Sequence, residues 1–339
     1  MSRPHFLITI DTEGDDLWAR PKVVTTRNAN YLERFQSLCE YFALRPTYLT
    51  NYEMARCPVF QRFGRGVLER GTAEIGMHLH AWDSPPIVAL TRDDRAFQPY
   101  LVEYSDRVMR DKIRAVTGTL EDTFGVKMVS HRAGRWGFDE RYATMLVEEG
   151  YLVDCSVTPL VSWKRTRGDP ARGGGPDYTA FPQHAYWLDL ADISRPGDSP
   201  LLEVPVTVIA NDRSLAGRVS RRVRAFAGLR ALIPHRLRKA LGHAAPAVHM
   251  LYPDGSNRAR LLDVLARVVA EGRAYAELVL HSSELMPGGS PLFPDAARIE
   301  ALYADLAALF SAARQQFRGS TLAEYRAGLT QLERPLVAS

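Results

Sequence analysis

No stretch of the 339-residue chain holds about 18 consecutive apolar residues, which excludes a helix hydrophobic enough to span a bilayer. Cysteine is scarce. Cys39, Cys57 and Cys155 are odd in number and irregular in spacing, which excludes a disulfide framework and a zinc ribbon. The start, Met1-Ser2-Arg3-Pro4, runs straight into a short apolar strand with acidic residues behind it. It lacks the long apolar stretch and small-residue cleavage site of an export signal, so the expectation is a cytoplasmic protein. Walker-type and dinucleotide glycine patterns are absent, as is a Gly-x-Ser-x-Gly elbow, which leaves nucleotide chemistry and serine hydrolysis without support. A net charge of +4 is too small to call for nucleic acid.

What the chain does have is the composition of a folded globular protein, 46% hydrophobic and 24% charged. Its basicity is local. Between Arg213 and Pro253 there is no Asp or Glu, while Arg213, Arg218, Arg221, Arg222, Arg224, Arg230, Arg236, Arg238 and Lys239 fall there. Val219, Val223 and Phe226 recur at helical spacing opposite Arg218, Arg221 and Arg222, and Pro234 divides the stretch into two short helices. A basic amphipathic insertion at about 213–243 can be a solvated face, can grip an acidic glycan, or can lie on an anionic membrane surface.

Strand and helix patterns alternate, which predicts an α/β fold. Strands are expected at 5–10, 46–50, 73–78, 127–132, 151–157, 202–209, 247–252 and 275–281. Helices are expected at 28–43, 100–124 (stopping at Gly125), 139–149, 256–271 and 295–317. This gives seven or eight βα units without a linker-like break, hence one barrel-like domain over 1–339. The segment 164–200 reads as a long irregular loop.

Polar clusters sit where predicted strands end, the rim at which parallel α/β folds build active sites. Asp11-Thr12-Glu13 places two carboxylates on one side of an extended chain, suited to a base and a cation ligand, or to a solvated acidic turn. His78-Leu79-His80 projects two imidazoles to one side, a workable spacing for two ligands on one metal, with Asp83 as a further ligand or a turn cap. His131-Arg132-Ala133-Gly134-Arg135-Trp136 suits an anionic or sugar-like group, or holds a catalytic carboxylate ionised. His281, ending the last apolar strand, can serve as a general acid.

In this order the clusters resemble the polysaccharide deacetylase family (the NodB-homology group), over about residues 6–290. Thr9-Ile10-Asp11-Thr12-Glu13 matches its first motif, Ala73-Glu74-Ile75-Gly76-Met77-His78 the approach to its histidine motif, and Leu278-Val279-Leu280-His281 its last. The resemblance implies a distorted (β/α)7 barrel that removes an N-acetyl group from an amino sugar in a polysaccharide, lipopolysaccharide or lipid-linked glycan precursor. It implies Asp11 as base, His281 as acid and Arg132 as the group positioning the base. A divalent cation, zinc on ligand grounds, would be held by Glu13, His78 and His80, and substrate would be met by Trp82, Arg135, Trp136 and Asp154.

Departures from the pattern are clear. The family's two histidines are four apart, and position 82 is Trp. Its Asp-Asp pair is Asp-x-Glu, and its Arg-x-Pro is Arg132-Ala133-Gly134. The pattern His78-x-His80 resembles a subgroup associated with surface-polysaccharide genes. Two other readings are a non-catalytic glycan-binding relative and a hydrolase of a small non-sugar amide. A lipid-linked substrate would place the protein at the inner leaflet through 213–243.

Overall fold

A computed structural model describes residues 3–211 and 248–333. The Arg-rich segment 213–243, with its expected helices and membrane face, lies outside the described residues.

The strands are β1 (His5–Thr12), β2 (Pro46–Thr50), β3 (Glu74–Leu79), β4 (Ser130–Ala133), β5 (Val153–Asp154), β6 (Tyr186–Trp187), β7 (Leu202–Glu203), β8 (Val208–Ala210), β9 (Val248–Met250), β10 (Tyr275–His281) and β11 (Arg318–Gly319). The order β10-β1-β2-β3-β4-β5-β7 is parallel throughout. The two-residue β6 runs antiparallel on β7, and β11 bridges the start of β1. The sheet curls on itself. Val206 N donates to the Val157 carbonyl, Leu251 N to Thr207 and Val279 N to Leu251, which links the β5 end to β10 through the segments beside the antiparallel β8–β9 pair. The result is the expected distorted α/β barrel.

Alternation along β1 divides the interior. Phe6, Ile8 and Ile10 face outward into a core shared with Phe35 of α1 (Leu32–Tyr41), Phe60 of α2 (Pro58–Glu69), Ile113 of α3 (Asp106–Phe124) and Leu146 of α4 (Glu140–Glu148). Leu265 of α5 (Arg258–Ala270) and Phe310 of α6 (Ala296–Gln316) join the same core. Leu7 faces the barrel axis, packed with Leu49, Val153 and Leu202 and plugged from below by Leu322 and Tyr325 of α7 (Leu322–Glu333). Above Leu7 on the same inner face come Thr9 and then Asp11. The axis is therefore apolar at its base and ionic at its top.

Local chemistry explains where the sequence-based bounds move. Helix 100–124 begins as a 3-10 turn, Leu101–Glu103, and α3 ends as expected at Gly125, whose φ of 68° lets its N–H reach the Glu121 carbonyl at 2.8 Å. The strand at 202–209 divides into β7 and β8 around Pro205, which has no N–H to give a ladder. The strand at 151–157 keeps ladder pairing only over β5. Segment 164–200 is largely irregular but carries β6. Among the described residues, no helix is long and apolar enough to cross a membrane.

Candidate metal centre

The C-terminal ends of β1, β3, β4 and β10 share one rim. In register, Asp11 lies beside His281 and His78 beside Arg132. Glu13 follows β1 directly. Its backbone is fixed by Ser282 Oγ, which accepts from Glu13 N at 3.1 Å, and by Asn28 Nδ2, which donates to its carbonyl at 2.8 Å. Asp15 has a structural part. Its carboxylate accepts from the Thr25 hydroxyl and from the Arg27 and Asn28 backbone, folding the 13–28 loop over the rim.

Glu13, His78 and His80 converge. Glu13 Oε2 lies 3.6 Å from His78 Nε2 and 3.4 Å from His80 Nε2, and the two Nε2 atoms are 3.1 Å apart. All three side chains are buried, and together they form a group able to hold a metal ion. Tetrahedral ligands at about 2.1 Å from zinc are about 3.4 Å from one another, so these separations fit a single cation. Ring chemistry agrees. His78 Nδ1 lies 2.9 Å from the Arg132 carbonyl, which can only accept, so Nδ1 carries the proton and Nε2 presents its lone pair to the centre. His80 is held well below its ordinary pKa by burial and then by the charges of His78, Arg135 and His281, so its ring is neutral. Burial also opposes charge on His78, but Asp11 and Glu13 outweigh it and raise its pKa, which marks a position where positive charge is favoured.

His80 rather than Asp83 completes the group. Asp83 turns toward Arg95, 3.6 Å away. Trp82, standing where the resemblance would place a histidine, stacks on the His80 ring at 4.4 Å with an interplanar angle of 19°. The approach of β4 is equally tight. A Cβ on Gly134 would fall 2.3 Å from His80 Cδ2 and 2.4 Å from the Leu79 carbonyl oxygen, so glycine is required there.

Asp11 and His281 flank this group. Arg132, fully buried, donates to Asp11 Oδ1 at 2.5 Å, to Glu277 Oε1 at 2.6 Å, to the Thr9 hydroxyl at 2.6 Å and to the Cys155 carbonyl at 3.1 Å. Burial would raise the Asp11 carboxyl, but the Arg132 charge, with His78 and His281, brings it below the ordinary carboxylate value. His281 Nε2 is 3.7 Å from Asp11 Oδ2, and its Nδ1 is 3.2 Å from Glu284 Oε2. Burial works against a charged imidazole, yet Glu284, then Glu13 and Asp11, push His281 up to about 9. A carboxylate held ionised and an imidazole held protonated therefore sit side by side.

A cavity of about 520 Å³ opens above these groups, lined by Asp11, Glu13, His78, His80 and His281 and walled by aromatic rings. Trp82, Arg135 and Trp136 line it as well. Asp154 does not. It is fully buried, 2.5 Å from His131 Nδ1, and accepts from Ser156 N and Oγ. Burial and then the neighbouring Asp154 push Glu203 well up, so the pair shares one negative charge facing His131. The residue read as a substrate contact thus braces the strand ends below the cavity.

Several site residues escaped the sequence reading. Glu277 shares Arg132 with Asp11, and Trp18, Trp163 and Tyr252 complete the wall. Glu284, three residues after His281, is a further one. A carboxylate three residues after a strand-ending histidine was the available signal.

No protein-family model matches the chain, and no curated protein matches it significantly. Solved structures do share its fold. A Mycobacterium smegmatis protein described as a polysaccharide deacetylase superposes with a TM-score of 0.52 at 14% identity, covering 100% of this chain and 98% of that one. The Puue allantoinase gives 0.51 at 12% identity, covering 97% and 90%. The resemblance to the polysaccharide deacetylase family therefore holds at the level of fold.

Proposed function

We propose that this protein is a metal-dependent hydrolase that removes the N-acetyl group of an amino sugar in a glycan or glycan precursor. The observation that carries this reading is the convergence of Glu13, His78 and His80 within 3.1–3.6 Å beside the Asp11–His281 pair. Zinc suits one carboxylate and two imidazoles. When bound, such an ion supplies Lewis acidity toward the acyl oxygen and lowers the pKa of water.

The remaining work falls to the chain. Asp11, kept ionised and oriented by Arg132, takes a proton from the attacking water. His281, kept protonated by Glu284, returns a proton to the departing amine nitrogen, which leaves as a neutral amine. Trp82, Trp136 and Trp163 offer ring faces to a sugar, and the burial of Glu13 and the histidines keeps the reacting end apart from bulk water. A fold shared with an allantoinase leaves small cyclic amides as the competing substrate class. The aromatic wall favours the sugar, because four of the five tryptophans stand around one cavity.

The test is acetate release from N-acetylated amino sugars by zinc-loaded protein, with allantoin as the comparison. Release from the sugar, lost in Asp11→Asn with metal retained, supports the reading. Turnover of allantoin alone replaces the substrate class, and bound metal without turnover of either replaces the enzyme by a glycan-binding protein.

A further inference from the structure

Two arginines in the cavity wall form no ion pair among the described residues. Arg135 is half-buried. Its guanidinium lies 4.3 Å over the Tyr100 ring and donates to the carbonyl oxygens of Gln98 and, at 3.0 Å, Arg167. Arg20 donates to the Ala96 carbonyl at 2.5 Å. Neither pairs with a carboxylate among the described residues, and the carbonyls engage only part of each donor set. Burial is the main influence against charge on Arg135; Tyr100 and Glu103 favour the charge, and Arg20 opposes it more weakly. Arg135 in turn bears on His80, so the pair stands near the metal-ligand group.

The acidic groups of the cavity are already committed. Asp11 is held by Arg132, and Glu13 faces the two histidines. The wall is thus left with two guanidinium groups that form no ion pair among the described residues, and Glu103 acts on Arg135 only at a distance. Its backbone is also unusual. Of the seven non-glycine residues with positive φ among the described residues, four line this cavity: Arg20 at 51°, Gln98 at 50°, Arg135 at 56° and Trp136 at 63°. Left-handed backbone is disfavoured wherever a Cβ is present and persists where surrounding packing imposes it, which is a mark of functional walls. Here it is concentrated on the two arginines and on the residue whose carbonyl holds one of them.

We infer that the substrate carries a carboxylate or phosphate, and that Arg20 and Arg135 bind it beside the Glu13, His78 and His80 group. This rests on the reading of the cavity as a sugar site and adds an anionic group to its ligand. Guanidinium is the side chain suited to such groups, because its planar fork matches their oxygens and it is never deprotonated.

The test is a tryptophan-fluorescence titration of the full chain, for which the cavity rings are reporters. The probes are N-acetylglucosamine, N-acetylglucosamine 1-phosphate and N-acetylmuramic acid, which offer no charge, a phosphate and a carboxylate. At least one anionic sugar is expected to bind roughly tenfold more tightly than the neutral one. That preference should weaken with salt and disappear in Arg20→Gln and Arg20→Gln/Arg135→Gln. Arg20 is exposed, so its single variant keeps the test valid should replacement of Arg135 disturb folding. Equal affinities, a preference that survives in both variants, or no binding of either anionic sugar overturns the inference. Which anionic probe wins distinguishes phosphate from carboxylate. Charge-selective binding without acetate release would sink the hydrolase reading alone, and acetate release without charge preference would sink this one alone.

Discussion

Asp11 and His281 are register partners on adjacent parallel strands, and their Oδ2 and Nε2 atoms lie 3.7 Å apart. Each is tuned from its far side, Asp11 by Arg132 and His281 by Glu284. Neighbouring titratable groups driven to opposite protonation states are the arrangement from which acid and base roles are assigned.

The pH dependence of hydrolysis follows. The Asp11 carboxyl is depressed, so its ionised form is present above the ordinary carboxylate range and is lost only as pH falls through the lowered value. His281 is raised to about 9, so its protonated form persists through neutrality and is lost as pH rises through about 9. Activity should be bell-shaped, with its alkaline limb near that value. Replacing Glu284 by Gln removes the chief source of the upward shift and should move the alkaline limb down toward 6.5, the ordinary histidine value. An alkaline limb that stays in place in E284Q would assign it to another group.

Ligand and base variants should separate cleanly. Because Glu13, His78 and His80 meet only in the folded chain, zinc is expected to raise the melting temperature, by up to about 2.7 kcal/mol of stabilisation at a hundredfold excess over Kd. E13Q and H78A should lose both the bound metal and that rise. D11N should retain both while turnover falls by roughly 10²–10⁴. Elemental analysis beside a thermal melt decides. Metal loss in D11N would exchange the roles of Asp11 and Glu13.

Much of this site was legible because strand-ending residues announce themselves. Asp11, His78 and His281 each follow an apolar run, Arg132 ends the polar stretch Ser130-His131-Arg132, and parallel topology brings such strand ends to one rim. The rest depends on tertiary approach. Trp163 and Arg20 reach the cavity from irregular segments, where no periodicity tells which way a side chain points. Glu277 sits inside β10, where the apolar run hides one inward carboxylate among five buried neighbours, and only its meeting with Arg132 gives it meaning. Asp154 shows the converse. A polar residue at a strand end was read as reaching substrate, whereas one ladder step places it against His131. Helix α2 keeps Phe60, Phe63 and Val67 at helical spacing, but Gly64 and Gly66 in its interior are poor helix formers, so propensity and periodicity disagree there.

Arg132 should be the costliest single polar residue to remove. It is the shared cation of two buried carboxylates, Asp11 and Glu277. Arg132→Met leaves both without it, and stripping one partner from a buried ion pair costs about 3–5 kcal/mol. Burial already lifts Glu277 to about 7 with the arginine present, so without it Glu277 stays above its unfolded value, and Asp11 loses the largest charge that keeps its carboxyl low. Groups raised in this way favour the fold while protonated and oppose it once pH exceeds their unfolded pKa. The deficit of R132M in urea unfolding should therefore shrink toward acid pH. A deficit independent of pH would mean that lost packing, not unpaired charge, is the cause.

Gly134→Ala isolates the placement of His80. The new methyl would lie 2.3 Å from His80 Cδ2 and 2.4 Å from the Leu79 carbonyl oxygen, neither of which can be tolerated. The backbone of β3 is held on both edges by parallel ladders, whereas the His80 ring is fixed by its stack on Trp82 and has a buried Nδ1 with no hydrogen-bond partner. The imidazole yields to relieve the first contact, while the backbone contact with Leu79 is relieved only by a small parting of β3 and β4. Overpacking of this kind costs about 1–3 kcal/mol of stability. Moving Nε2 away from Glu13 also removes one of three metal ligands, so zinc affinity should fall well beyond what the lost stability explains. Comparing the urea midpoint with zinc affinity in G134A checks this, and a variant that is destabilised yet binds zinc as before would show that β4 gives way instead of His80.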